Sequence, residues 1–202
     1  MSERTRASRR GERGMSCADV LVTAAILGLC AITAAGALGR QLEQSALKSL
    51  ATTFHALVVE ASSTAVIRRQ NTGLLFRGGP SGITAQLYVD GDRDGLSLTD
   101  IREGTDRALS SPIPLGQGAA QPGLPPGVER DPSGNSLVGQ DPIRFGPTDL
   151  LSFTPHATAT PGTLYARDAS GREGWAFRVA GIDGRVRVYR WWRGSWTQIA
   201  HW

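Results

Sequence analysis

At 202 residues, with apolar and charged residues in ordinary proportion, the chain has room for one domain plus an extension, and its composition excludes a disordered or low-complexity polymer. The formal charge of +4 is concentrated at the front: Arg4, Arg6, Arg9, Arg10 and Arg13 against Glu3 and Glu12 give the segment before Met15 a charge of +3, leaving +1 for the remainder. So balanced a remainder excludes a global attraction to nucleic acid, and such a contact would need a local patch.

From residue 15 to 39 the one formal charge is Asp19, and these 25 residues exceed the roughly 20 apolar residues that a bilayer core requires. The five arginines before this stretch and the single Arg40 after it predict a cytoplasmic N-terminus by the positive-inside rule. An ordinary secretory signal has the same outline, and Ala34, Ala35, Gly36 and Ala37 offer a small-residue cleavage site. Two features oppose that alternative. An acid within an apolar membrane helix costs up to about 3 kcal/mol near the bilayer centre and normally has a partner, so Asp19 marks function. The apolar periodicity also continues past Gly39 through Leu42, Ala46, Leu47, Leu50, Phe54, Leu57, Val58, Ala61 and Ala65, at helical spacings of three and four. One helix over 15–69 is therefore predicted, transmembrane over 15–39 and amphipathic beyond, about 80 Å long at 1.5 Å per residue. Asn71, Thr72 and Gly73 supply its stop. Cys17 and Cys30 both fall in the apolar segment, where small hydrophobes are a simpler reading than a redox pair or metal ligands.

Gly14-Met15-Ser16-Cys17-Ala18-Asp19 resembles the prepilin peptidase site of type IV pilins and type II secretion pseudopilins. There, cleavage follows a glycine and an acid stands fifth in the mature chain. The resemblance implies a basic leader over 1–14, processing at Gly14, methylation of the new amine on Met15, and pairing of Asp19 with the N-terminal amine of a neighbouring subunit. The family's usual aromatic first residue is Met15 here, and its usual glutamate is the shorter Asp19.

Past Gly73 the texture becomes short apolar or alternating runs cut by Gly, Pro, Asn and Asp, which predicts strands. We place them near Leu74–Arg77, Thr84–Val89, Leu150–Thr154, Gly162–Arg167, Trp175–Ala180 and Arg185–Tyr189. Residues 110–142 are dense in Pro and Gly, with Pro112, Pro114, Pro122, Pro125, Pro126 and Pro132, and predict a long loop with at most an edge strand. The overall expectation is an α+β fold: the long N-terminal helix packed on a mostly antiparallel β-sheet or sandwich head over 70–202.

Phe153-Thr154-Pro155, Pro161-Gly162-Thr163-Leu164-Tyr165 and Val179 to Val188, with its Asp183-Gly184-Arg185 turn, resemble in type and order the GspH/FimT group of minor pilins and pseudopilins. That resemblance implies a pilin-like head outside the membrane, partners that are other pilins, prepilin peptidase and the inner membrane, and no cofactor.

Two candidate sites stand out. Asp90-Gly91-Asp92-Arg93-Asp94-Gly95 places carboxylates at alternate positions before a glycine, the first half of a calcium loop; Asp100 stands one place short of the closing ligand position, which Ile101 occupies. A polar turn is the alternative. At the C-terminus Arg185, Arg187, Arg190 and Arg193 lie among Tyr189, Trp191, Trp192, Trp196 and Trp202, which combines cations for phosphates with rings for base stacking. Gly184-Arg185-Val186-Arg187 is similar to a motif linked to DNA capture in some FimT-like pilins. The alternatives are a solvated strand face for the arginines and core closure for the tryptophans. His55, His156 and His201 are too scattered for a metal site, no serine sits in a nucleophile elbow, and no enzyme is expected.

Overall fold

The computed structural model describes residues 16–79, 82–116 and 120–202, with the backbone alone at 19, 32–40, 42 and 43. In chain order these form α1 (Cys17–Arg68), β1 (Thr72–Gly79), β2 (Gly82–Val89), α2 (Leu98–Glu103), β3 (Arg107–Ala108), β4 (Ile113–Leu115), β5 (Ala120–Pro122), β6 (Ile143–Arg144), a 3-10 turn at Gly146–Thr148, β7 (Leu150–Phe153), β8 (Gly162–Asp168), β9 (Gly174–Val179), β10 (Val186–Trp192) and β11 (Ser195–His201). Helix with antiparallel sheets is the class the residue pattern predicts. The chain divides into two compact units, one ending at Arg40 and the other covering Gln41–Trp202.

In the first unit Ser16 caps the start of α1: its Oγ accepts from the Ala18 N–H, and its carbonyl accepts the first helical bond from Val20 N–H. The apolar stretch Val20–Ala31 that follows is exposed all round, including Leu21, Leu27 and Leu29. A helix apolar on every side is a lipid or core helix by composition.

In the second unit the remainder of α1 presents Leu47, Leu50, Ala51, Phe54, Leu57, Val58, Ala61 and Ala65 to the head, all buried. Those are the stripe residues read from the periodicity, with Ala51 added, Ala46 partly buried and Leu42 outside the described side chains. By length and composition Gln44–Arg68 could cross a membrane, with a mean hydropathy of 1.4. Its buried stripe makes it the core helix of the head instead, because side chains committed to a protein core are not available to lipid. α1 ends as Arg69 turns left-handed at φ 53°, and Thr72 Oγ1, fully buried, donates to the Ala61 carbonyl, fixing the entry to β1.

Two antiparallel sheets receive the helix. The first runs β3-β2-β1-β7, with β4 also on β2; the second runs β11-β10-β9-β8-β5, with β6 also on β8. Period-two alternation decides which residues face inward: Ile83, Ala85 and Leu87 on β2, and Val186 and Val188 on β10, join the α1 stripe in one core. Phe54 sits between the sheets, its ring centroid 6.1 Å from Phe76 of β1 and 5.5 Å from Phe177 of β9; Phe145 then stacks on Phe76 at 5.0 Å.

The expectation of a long loop with at most an edge strand over 110–142 is corrected to two short strands and a cover. This stretch contributes β4 and β5, and then covers the outer face of the second sheet, where Leu124, Val128 and Leu137 pack with Tyr165, Ala176, Tyr189, Trp191 and Trp196. The prolines serve that purpose, since a chain crossing a sheet face needs no ladder hydrogen bonds. Pro125 presses so close to β9 that a Cβ at Gly174 would lie 2.1 Å from its Cγ, which requires glycine there.

Candidate functional site

The aspartate turn after β2 is built around two buried carboxylates. Asp90, 1% exposed, accepts from the Asn71 side-chain amide and from the Arg93 and Gly95 N–H groups. Asp106, which the sequence reading missed, accepts from the Gly91 and Ser97 N–H groups. Together they pin the loop between β2 and α2. Asp92 and Asp94 are exposed, and a carboxylate oxygen from each lies within 4.8 Å of one from Asp90. Asp94 is held above its usual range by its hydrogen bond to Asp92 and by that neighbour's charge. Asp100 is not in this group: it accepts from the Ser97 hydroxyl while its own N–H donates back to Ser97 Oγ, which makes it a helix-capping acid of α2. The calcium quartet read from the spacing is thus three carboxylates, one of them already filled by N–H donors. Among the described residues this is the one such group of three.

The arginine cluster divides across the sheet. On β10, Arg187, Tyr189 and Trp191 alternate with Val186, Val188, Arg190 and Trp192, so Arg187 and Arg190 face opposite sides. Arg190 is held by Glu173: its guanidinium donates at 2.9 Å to Oε2, and its Nε lies 2.8 Å from Oε1, out of line for a hydrogen bond. Glu173, buried, also accepts from Trp175 Nε1. This arginine therefore closes the core edge and is not free for a phosphate. Arg193 occupies the β10–β11 turn, exposed, 5.9 Å from the Trp192 ring centroid. Arg185 is exposed and 3.5 Å from Asp183, a pair of little energetic weight.

Register brings other cations to Arg187. Cross-strand partners run Arg144 to Thr163, Thr163 to Arg178, Arg178 to Arg187, and Arg187 to His201, which makes a basic row across the outer face of the second sheet. Arg178 and Arg144 were not singled out in the sequence because their alignment exists only after the strands pair. Arg178 contacts Ser133 and lies 3.7 Å from Asp131, and Arg144 donates to the carbonyls of Val138, Gly139 and Asp141.

Beside this row the aromatics form the satellite core. Trp196 donates from Nε1 to the Arg130 carbonyl, and its ring lies 5.4 Å from Trp191 and 6.0 Å from Tyr165. Burial resists charge on Asp131, but the Asn135 and Ser133 donors and the Arg178 cation outweigh it and hold the carboxyl below its usual range. Burial first, and the nearby Asp131 charge second, push the Tyr165 hydroxyl up to about 12. A pKa raised above the unfolded value of 10 means stability that is complete below pH 10 and lost as pH rises toward 12. Titration of phenolate absorbance should therefore show a late component near 12 that coincides with loss of the near-ultraviolet circular dichroism. A titration without that late component would show Tyr165 in contact with water.

Gly14 and Met15 lie outside the described residues, and Asp19 is in the first turn of α1 with its side chain outside the description. His55 meets Trp202 with ring centroids 4.5 Å apart, which ties the C-terminus to α1.

Compared with known proteins, the chain matches no family model, no curated protein and no solved structure.

Proposed function

We propose that this chain is a minor pilin or pseudopilin, a subunit of a type II secretion or type IV pilus filament. Prepilin peptidase removes residues 1–14 after Gly14, the new amine on Met15 is methylated, and the helix anchors the chain in the inner membrane with the head outside the cytoplasm. Assembly then buries the apolar half of the helix among like helices, with Asp19 setting register against a neighbour's amine. The observation that carries this reading is α1: unbroken from Cys17 to Arg68, apolar and exposed over Val20–Ala31, and built into the head's core from Leu47 to Ala65. A removable secretory signal would not share one helix with a core. Mass spectrometry of the mature N-terminus tests it. A chain beginning at methylated Met15 is expected; a start near Ala37 would make the protein a secreted β-domain, and an intact leader would make it a signal-anchored one.

A second reading, DNA uptake through Arg185 and Arg187, is favoured by the row that places Arg178 beside Arg187. Binding through so few cations should be weak and salt-sensitive, with each lost phosphate contact lowering the salt slope by about 0.9. Gel retardation at two salt concentrations is expected to show a shift that Arg187→Ala reduces. Equal mobility with and without DNA would remove this reading and leave the first untouched.

A further inference from the structure

Among the described residues, the strands that end the two sheets are blunted with the exception of β11. β3 is two residues long and begins with Arg107. β4 is three residues with Pro114 at its centre, and β5 is three residues ending in Pro122. β6 is two residues, one of them Arg144. The free side of β7 is covered by the chain that follows it, as the Thr160 N–H donates to the Ser152 carbonyl and Phe153 bridges to Ala159. These are the usual ways in which proteins prevent strand addition: short edges, proline, charge and cover.

β11 uses almost none of them. It ends the second sheet, runs for seven residues, contains no proline, and stands in a stretch, residues 194–202, with no Asp, Glu, Lys or Arg. Ser195, Thr197, Gln198, Ile199 and His201 are exposed. One irregularity interrupts it, a bulge at Ile199 where the register with β10 shifts. Large apolar side chains stand on the strand and just past it: Ile199 is 44% exposed and Trp202 39%.

We infer that β11 is an open pairing edge, and that its occupant is the β11 of a second copy, running antiparallel about a two-fold axis. A pairing strand must itself offer a free, extended, uncharged edge, and among the described strands β11 is the one that does. Antiparallel self-pairing sets residues of one uncharged stretch against each other, so no register brings like charges together. The exposed Ile199 and Trp202 lose water in the same event. The interface does not depend on the filament reading, since it uses the head alone and either a free or an assembled chain can form it.

Disulfide trapping in native membranes tests it, using the full chain with Cys17→Ser and Cys30→Ser. Directly opposed residues of an antiparallel pair have Cα atoms roughly 4.5–5.5 Å apart, within reach of a disulfide. Single cysteines placed by Ser195→Cys, Thr197→Cys, Gln198→Cys and Ile199→Cys should give, for at least one position, a species of twice the chain mass several-fold more abundant than with Ile182→Cys, an exposed control in the β9–β10 turn. Adding Thr197→Lys to the best Ser195→Cys, Gln198→Cys or Ile199→Cys variant, or to Ser195→Cys where Thr197→Cys is best, should remove that species while leaving tryptophan fluorescence unchanged. Absence of the doubled species, equal trapping at Ile182→Cys, or a trapped species of another mass would each overturn the inference.

Discussion

Phe54→Ala should lower the stability of the head by roughly 3–5 kcal/mol, the cost of replacing a buried phenylalanine and leaving a cavity. The upper part of that range is expected because Phe54 is fully buried and touches both sheets, through Phe76 on one and Phe177 on the other. A collapse that fills the void would have to move a strand from each sheet toward α1, and two paired ladders resist that movement. Trp175 reports the event, since its ring lies 6.2 Å from Phe177. Denaturant titration followed by its fluorescence should show an earlier midpoint with little change in slope. Phe54→Leu keeps much of the volume and should cost less than half as much. Ile67→Ala, on the exposed side of the same helix, should fall within about 0.5 kcal/mol of the parent. If Phe54→Ala proved as mild as Ile67→Ala, α1 would not be the element that joins the two sheets.

Periodicity carried most of the fold. The α1 stripe and six strands are legible in the sequence because each is long enough for its period to repeat. β1, β2, β7, β8, β9 and β10 fall within a few residues of where alternation put them. The pieces that were missed have a common physical reason. β3 and β6 are two residues long and are defined by their partners. β11 was hidden by its turn: Arg193 and Gly194 both have positive φ, 51° and 87°, the geometry of a two-residue hairpin, but arginine at the first position is not the Asn or Asp that announces one. Of the two readings the sequence leaves open for the tryptophans, stacking rings or core closure, Trp196 on β11 takes the second, since it packs on Tyr165.

The site was legible in part for the same reason. Asp90, Asp92 and Asp94 are close in sequence and stay close in space, whereas Asp106 acts from beyond α2 and only the fold brings its carboxylate to Gly91 and Ser97. The four arginines were grouped by proximity along the chain, yet a strand sends neighbours to opposite faces. Arg190 therefore goes to Glu173, and Arg187 finds Arg178 across the ladder.

If the chain is the minor pilin or pseudopilin proposed above, Gly14→Trp should abolish maturation and filament incorporation together, and the reason can be stated from charge. The uncut chain keeps five arginines against two glutamates ahead of its apolar segment. An arginine near the centre of a membrane helix costs about 2.5–3.5 kcal/mol on insertion scales, so a helix still carrying that leader cannot be drawn through the bilayer into a bundle of apolar helices. The leader also separates the chain's own amine from Met15 by fourteen residues, so it cannot sit where Asp19 of a neighbour would receive it. Immunoblots of membranes should show a single band heavier by the leader, and sheared filaments should contain none of the variant. Asp19→Ala separates the two steps: it should be cut normally at Gly14 yet fail to enter filaments, because the buried amine then lacks its carboxylate. A Gly14→Trp chain that matures to the same mass as the parent would place the cleavage elsewhere, and Ala37→Leu would then be the substitution that blocks it, as a secretory signal requires.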